Sequence, residues 1–132
     1  MIVVDAANVI GSRPDGWWRD RPGAARRLLR KLAVLQEDLQ DTTDIIVILE
    51  GAARAAVSGR DAANTGTLHV VLAPGSGDDT IVTVTTEAAA QPHNPAVTVV
   101  TADRALRHRL EPTGATPTGP NWLLDQLDQQ PQ

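Results

Sequence analysis

The chain has 132 residues, is 42% hydrophobic and carries a net charge of −4. That is enough apolar material for one core and too little chain for a second full domain. Without cysteine there are no disulfides, thiolate metal sites or cysteine nucleophiles, a composition compatible with a reducing, cytoplasmic setting. Three Trp with no Phe or Tyr exclude nucleic-acid modules that stack bases on a platform of exposed rings. No apolar run approaches a membrane span, and Met1–Asp5 reaches a carboxylate too soon for a signal peptide.

Met1 to Val4 is a short apolar run ending in Asp5, which predicts a buried strand. Residues 6–20 read as a loop rich in Gly, Pro, Asn and Trp. Asp20 followed by Arg21-Pro22 is a helix start, a capping carboxylate and then proline in the first turn. Leu28, Leu32, Leu35 and Leu39 recur at helical spacing, so a helix is expected from Arg21 to about Gln40. Asp44 to Glu50 is a second buried strand, residues 51–66 a loop with one weak helical turn, and Thr67 to Ala73 a third strand.

Asp78 to Ala90 is rich in β-branched residues, yet Ile81, Val84 and Ala88 repeat at +3 and +4, with N-caps on offer from Ser76 and Asp78. A helix is expected there. Pro92-His93-Asn94-Pro95 breaks the chain, Ala96 to Thr101 is a fourth strand, and Asp103 to Leu110 a short helix. Gly114 to Thr118 is an edge strand or extended turn, and Gly119-Pro120-Asn121 opens a last helix in which Trp122 is expected in the core. Residues 129–132 are a polar tail after a single domain spanning 1–128. Solidly apolar strands alternating with helices predict a three-layer α/β/α fold with a mainly parallel central sheet.

Such sheets place their sites at the carboxyl ends of the strands. Asp5, with Asn8 beyond it, ends the first strand and Glu50 the second; the third leads to Asp78 and Asp79, the fourth to Thr101 and Asp103. Each acid has a local use: Asp5, Asp78 and Asp103 as turn or helix caps, Asp79 near a helix dipole, Glu50 as a loop acid. Taken jointly, four strand ends delivering acids to one rim suit a hard divalent cation, Mg²⁺ or Mn²⁺, which relieves the repulsion and orients water at a phosphodiester.

Between Ser12 and Lys31 lie seven basic and two acidic residues, a local charge of +5, against −9 for the rest. Arg13, Arg19, Arg21, Arg26, Arg27 and Arg30 on this segment, with Arg104 and Arg107 opposite, are candidates for holding substrate phosphates. The same segment also reads as a solvated helix face. Trp17-Trp18, adjacent in a loop, do not both point inward easily; one is free for a base or a partner. No P-loop, D-x-D phosphatase motif or serine-hydrolase elbow is present, and His69, His93 and His108 share no spacing.

Val3-Val4-Asp5-Ala6-Ala7-Asn8-Val9-Ile10 resembles the opening strand and D-G-x-N loop of the PIN-like superfamily, particularly its NYN and YacP-like branches. Gly77-Asp78-Asp79-Thr80-Ile81 resembles that group's A-D-x-x-I helix start, and Val99-Val100-Thr101-Ala102-Asp103-Arg104 its V-V-T-S/A-D-R strand end. The resemblance covers residues 1–110 and implies a Mg²⁺- or Mn²⁺-dependent ribonuclease. It implies Asp5, Asp78 and Asp103 as catalytic metal ligands, Asp79 as a supporting acid, Glu50 near a further acidic position, and Asn8 and Thr101 as supports. Glu50-Gly51 departs from the Asp-Gly or Asp-Ala of relatives. RNA is the expected substrate, alongside a homo-oligomer or a protein partner and no membrane. The competing readings are a non-catalytic RNA- or protein-binding module and a small nucleotide phosphohydrolase.

Overall fold

The structure, a computed structural model, describes residues 1–39, 43–59, 62–63, 65–93 and 95–129. Five strands, β1 (Ile2–Asp5), β2 (Ile45–Leu49), β3 (His69–Leu72), β4 (Thr98–Val100) and β5 (Thr116–Thr118), form one sheet in the order β3-β2-β1-β4-β5. Every pairing is parallel, so all five carboxyl ends lie on one rim. The helices are α1 (Ala6–Gly11), α2 (Arg21–Leu39), α3 (Gly77–Ala89), α4 (Arg104–Leu110) and α5 (Pro120–Asp128). The three-layer α/β/α expectation holds.

Strand periodicity divides the core in two. Val4, Val47, Leu49 and Val100 face α1, α2 and α5 with Val9, Leu29, Leu32, Leu123 and Leu127. Val3, Ile48 and Val99 face α3 and α4 with Ile81, Leu106 and Leu110. The central strands are apolar throughout because both sides are covered. Proline at the middle of β5 is tolerated because β5 is an edge strand. Among the described residues no helix is long and apolar enough to cross a membrane.

Asp20 starts α2 as expected, its Oδ1 accepting from the Gly23 N–H at 3.0 Å. Gln40, the expected end of that helix, lies outside the described residues, as does Asn94. Near the end of α2, buried Gln36 accepts from the Ile45 N–H at 2.6 Å and donates to the Thr43 carbonyl at 2.9 Å. One side chain thus ties α2 to the start of β2.

Three expectations are corrected. Residues 6–20 are not simply a loop: α1 begins directly after β1, and Trp17–Arg19 form a 3₁₀ turn entered through left-handed Gly16 (φ 83°). Asp5 itself caps α1, which is too short to leave a periodic signature. The stretch after Glu50 is also more ordered than one weak turn, with a 3₁₀ segment over Gly51–Val57. Trp122 is 41% exposed, because the inward stripe of α5 consists of Leu123, Leu124 and Leu127 and Trp122 falls off it.

Candidate active site

The chain runs outward from β1 to β2 and β3, then returns to place β4 on the other flank of β1. The strand order therefore reverses between β1 and β4, and ligand crevices of open α/β sheets open at such a switch point. Asp5 and Thr101 stand on its two walls. The Thr101 hydroxyl donates to Asp5 Oδ2 at 2.9 Å and accepts from the Asp103 N–H at 3.2 Å. Asp5 Oδ1 accepts from the Asn8 N–H at 3.4 Å, and Asn8 Oδ1 accepts from the Ala102 N–H at 2.9 Å. Two of these bonds, Thr101 to Asp5 and Ala102 to Asn8, join the end of β4 to the end of β1 and α1, and the other two are local.

Asp5 is buried, 6% exposed. Burial pushes its carboxyl up to about 6; the Thr101 hydroxyl and Asn8 N–H oppose this, and the charges of Asp78 and Glu50 push it further up. Asp78 is also raised, first by burial and then by Asp103 and Glu50, with Arg109 acting in the opposite direction. Asp78 thus lies within repulsion range of Asp5, Glu50 and Asp103.

The acids differ in how free they are. Asp103 caps α4, its Oδ1 accepting from the Leu106 N–H at 3.0 Å. Glu50 does what Ser76 does not: its Oε2 accepts from the Gly77 N–H at 2.7 Å and caps α3 from another strand. A Cβ at 77 would lie 2.9 Å from the Glu50 carboxyl carbon, so a larger residue there displaces that carboxylate from its cap. Asp78 makes no side-chain hydrogen bond among the described residues. Asp79 turns instead to Arg109 on α4, 2.8 Å away and exposed. Arg109 was not singled out by sequence pattern; its signal is only its +6 position from Asp103 at the far end of a short helix.

Among the described residues no three Asp, Glu or His side chains close into a ready-made metal cage. The donor set is nonetheless all oxygen, and two of its carboxyls are raised by unrelieved burial and repulsion. That chemistry fits a Mg²⁺-like cation held by one or two carboxylates with water completing its shell.

Of the candidate phosphate contacts, Arg13 is paired with Asp128 at 2.7 Å. Arg107 donates to the Thr101 carbonyl at 2.8 Å, bracing the end of β4. Arg21 lies over the Trp17 ring, 5.5 Å from its centre. Arg19 and Arg104 are exposed and Arg26 is half-buried. Arg13, Arg27 and Lys31 also line a notch of about 90 Å³ behind α1, which none of the clustered carboxylates enters.

The whole three-layer arrangement aligns with two crystal structures of Rae1 (YacP) from Bacillus subtilis. One matches at a TM-score of 0.75 and 20% identity, covering 97% of this chain and 73% of that one. The other, a W164L mutant, matches at 0.74 and 19%, covering 96% and 74%. This chain has the Rae1 (YacP) fold. It agrees with the PIN-like, NYN/YacP-like resemblance of the three sequence motifs. No family model and no curated protein matches the chain.

Proposed function

We propose that the protein is a Mg²⁺- or Mn²⁺-dependent ribonuclease acting at the rim between β1 and β4. The observation that carries this reading is buried Asp5, anchored by Thr101 at the switch point while Asp78 and Glu50 crowd it with like charge. A carboxylate is kept in so costly a place for something that relieves it. The fold shared with Rae1 (YacP) supports the same reading.

Asp5 and Asp78 would hold the cation, with Asp103 and Glu50 contributing through water or their remaining oxygens. When bound, the cation supplies Lewis acidity at a phosphodiester oxygen and a more acidic water. Thr101 and Asn8 fix the Asp5 carboxylate so that its orientation costs nothing on substrate binding. Thr101 also holds the Asp103 backbone, so the two acidic loops keep one spacing. Exposed Arg19 and Arg104 remain available for phosphates along the strand.

Incubation with end-labelled single-stranded RNA and Mn²⁺ is expected to give fragments, and Asp5→Asn to abolish them with the fold intact. Absence of fragments over RNAs of varied sequence defeats the proposal. That no three acidic or histidine side chains among the described residues close into a cage favours one alternative, an RNA-binding module without catalysis. Its mark is salt-dependent binding that Asp103→Asn leaves unchanged.

A further inference from the structure

An open groove of about 400 Å³ approaches the carboxylates from the α2 side. Trp17 and Arg21, Ala7 and Ile10 of α1, and Glu50 and Gly75 are among the residues that line it. Of the clustered acids Glu50 lines the groove, and its carboxylate also caps α3 at Gly77, next to Asp78. Its size is that of a small-molecule site.

The Trp17 ring is held from three sides. Its edge rests near Gly11, where a Cβ would lie 3.8 Å from it; Trp18 meets it edge-on at 5.8 Å and 87°; and Arg21 lies over it. Trp17 is nevertheless only half-buried, and Trp18 is 52% exposed. In a chain with three aromatic residues, two are spent on this one surface turn. A fixed indole beside a guanidinium, in a recess with small apolar walls, is the chemistry that receives an unpaired nucleobase. Arg21, with exposed Arg19 adjacent, supplies the positive charge that the base's own phosphate needs.

We infer that this groove is a subsite for a single unstacked base of the RNA strand, packed against the Trp17–Arg21 pair. Trp17 is a specificity-determining residue there: the base it holds sets which phosphodiester lies at Asp5. The inference rests on the ribonuclease reading and deepens it, from RNA in general to a strand with one splayed, unpaired base beside the cleavage point.

The test is fluorescence anisotropy of a dye-labelled single-stranded hexaribonucleotide, titrated with the full chain in EDTA. In a matched series each nucleotide in turn is replaced by an abasic ribose. One abasic position is expected to weaken binding about tenfold, and Trp17→Leu to weaken the intact strand by a similar factor. In Trp17→Leu that abasic position costs nothing further, and Trp17→Phe recovers most of the affinity, which separates loss of stacking from damage to the turn. Independent penalties, or unchanged binding by Trp17→Leu, overturn the subsite.

The same hexamer with wild-type protein and Mn²⁺ reads the underlying function separately. Cleavage without Trp17–base coupling removes the subsite and leaves the ribonuclease. Coupling without cleavage establishes the subsite and removes the ribonuclease. A hexamer that does not bind at all removes both.

Discussion

Replacing Asp5 by Asn should stabilise the metal-free protein at neutral pH while destroying its proposed activity. The Asp5 carboxyl has an ordinary value of 3.8 and lies at about 6 in the fold. At about 1.4 kcal/mol per tenfold change, holding it ionised in the folded state costs roughly 3 kcal/mol above pH 6. The sign follows from proton counting. Between pH 3.8 and about 6 the folded chain binds more protons at this group than the unfolded one, so stability from Asp5 falls as pH rises through that window.

Asn removes the charge and can keep both contacts. Its carbonyl can accept from the Asn8 N–H and its amide can donate to the Thr101 hydroxyl, which already accepts from Asp103 and has a second lone pair. Allowing about 1 kcal/mol for poorer hydrogen bonds leaves a net gain of about 2 kcal/mol at pH 7.5. For a chain of this size that is roughly 7 °C in Tm.

Circular dichroism melts of both proteins in EDTA at pH 4.5, 6 and 7.5 measure it. The gap should be widest at 7.5 and close, or change sign, toward 4.5. Taking the difference between the two proteins cancels the other titrating groups. A variant less stable than wild type at pH 7.5, or a gap independent of pH, would falsify the idea that Asp5 is held ionised against its surroundings. With Mn²⁺ added the order should reverse, since only the wild type gains from binding.

Thr101→Val removes the hydroxyl that joins Asp5 to Asp103; a loss of 1–3 kcal/mol by urea denaturation is expected. Thr101→Ser should retain most of that stability. Gly77→Ala drives a methyl group into Glu50 and breaks the cap on α3, for an expected loss of about 1–2 kcal/mol in the same assay, whereas Gly75→Ala, with open space around it, should be near neutral. Thr85→Val should be neutral or stabilising by about 1 kcal/mol, because the buried Thr85 hydroxyl has no partner among the described residues. Gln36→Leu should cost 1–3 kcal/mol by leaving the Ile45 N–H buried and unpaired, read as a lower urea midpoint.

The layering of the fold is legible in the sequence because its signals are long or strongly periodic. Leu28 to Leu39 on α2 and the apolar run of β2 admit few other readings. The β-branched α3 is legible too, since Ile81 and Ala88 return to one face despite poor helix propensity. Short elements are not legible. The six residues of α1 and the 3₁₀ segments at 17–19 and 51–57 are set by capping and packing rather than by period.

At the site, reading the acids off the strand ends and the turns that follow them finds Asp78 together with the three acids that bear on it or on which it bears, Asp5, Glu50 and Asp103. What each side chain holds is a tertiary matter. Glu50 reaches 27 residues along the chain to cap α3, Asp79 pairs with Arg109 30 residues away, and Arg13 with Asp128. Local pattern carries no trace of those partners, nor does it separate Trp122, an apolar residue on the exposed side of α5, from the buried Leu123, Leu124 and Leu127.

The bond from Thr101 to Asp5 spans 96 positions. A ribosome must therefore extrude about a hundred residues before the acid acquires its anchor, and closing so distant a contact is among the slower steps open to a small domain. Among the described residues the only other bond to the Asp5 carboxylate, from the Asn8 N–H, is local and needs just three further residues.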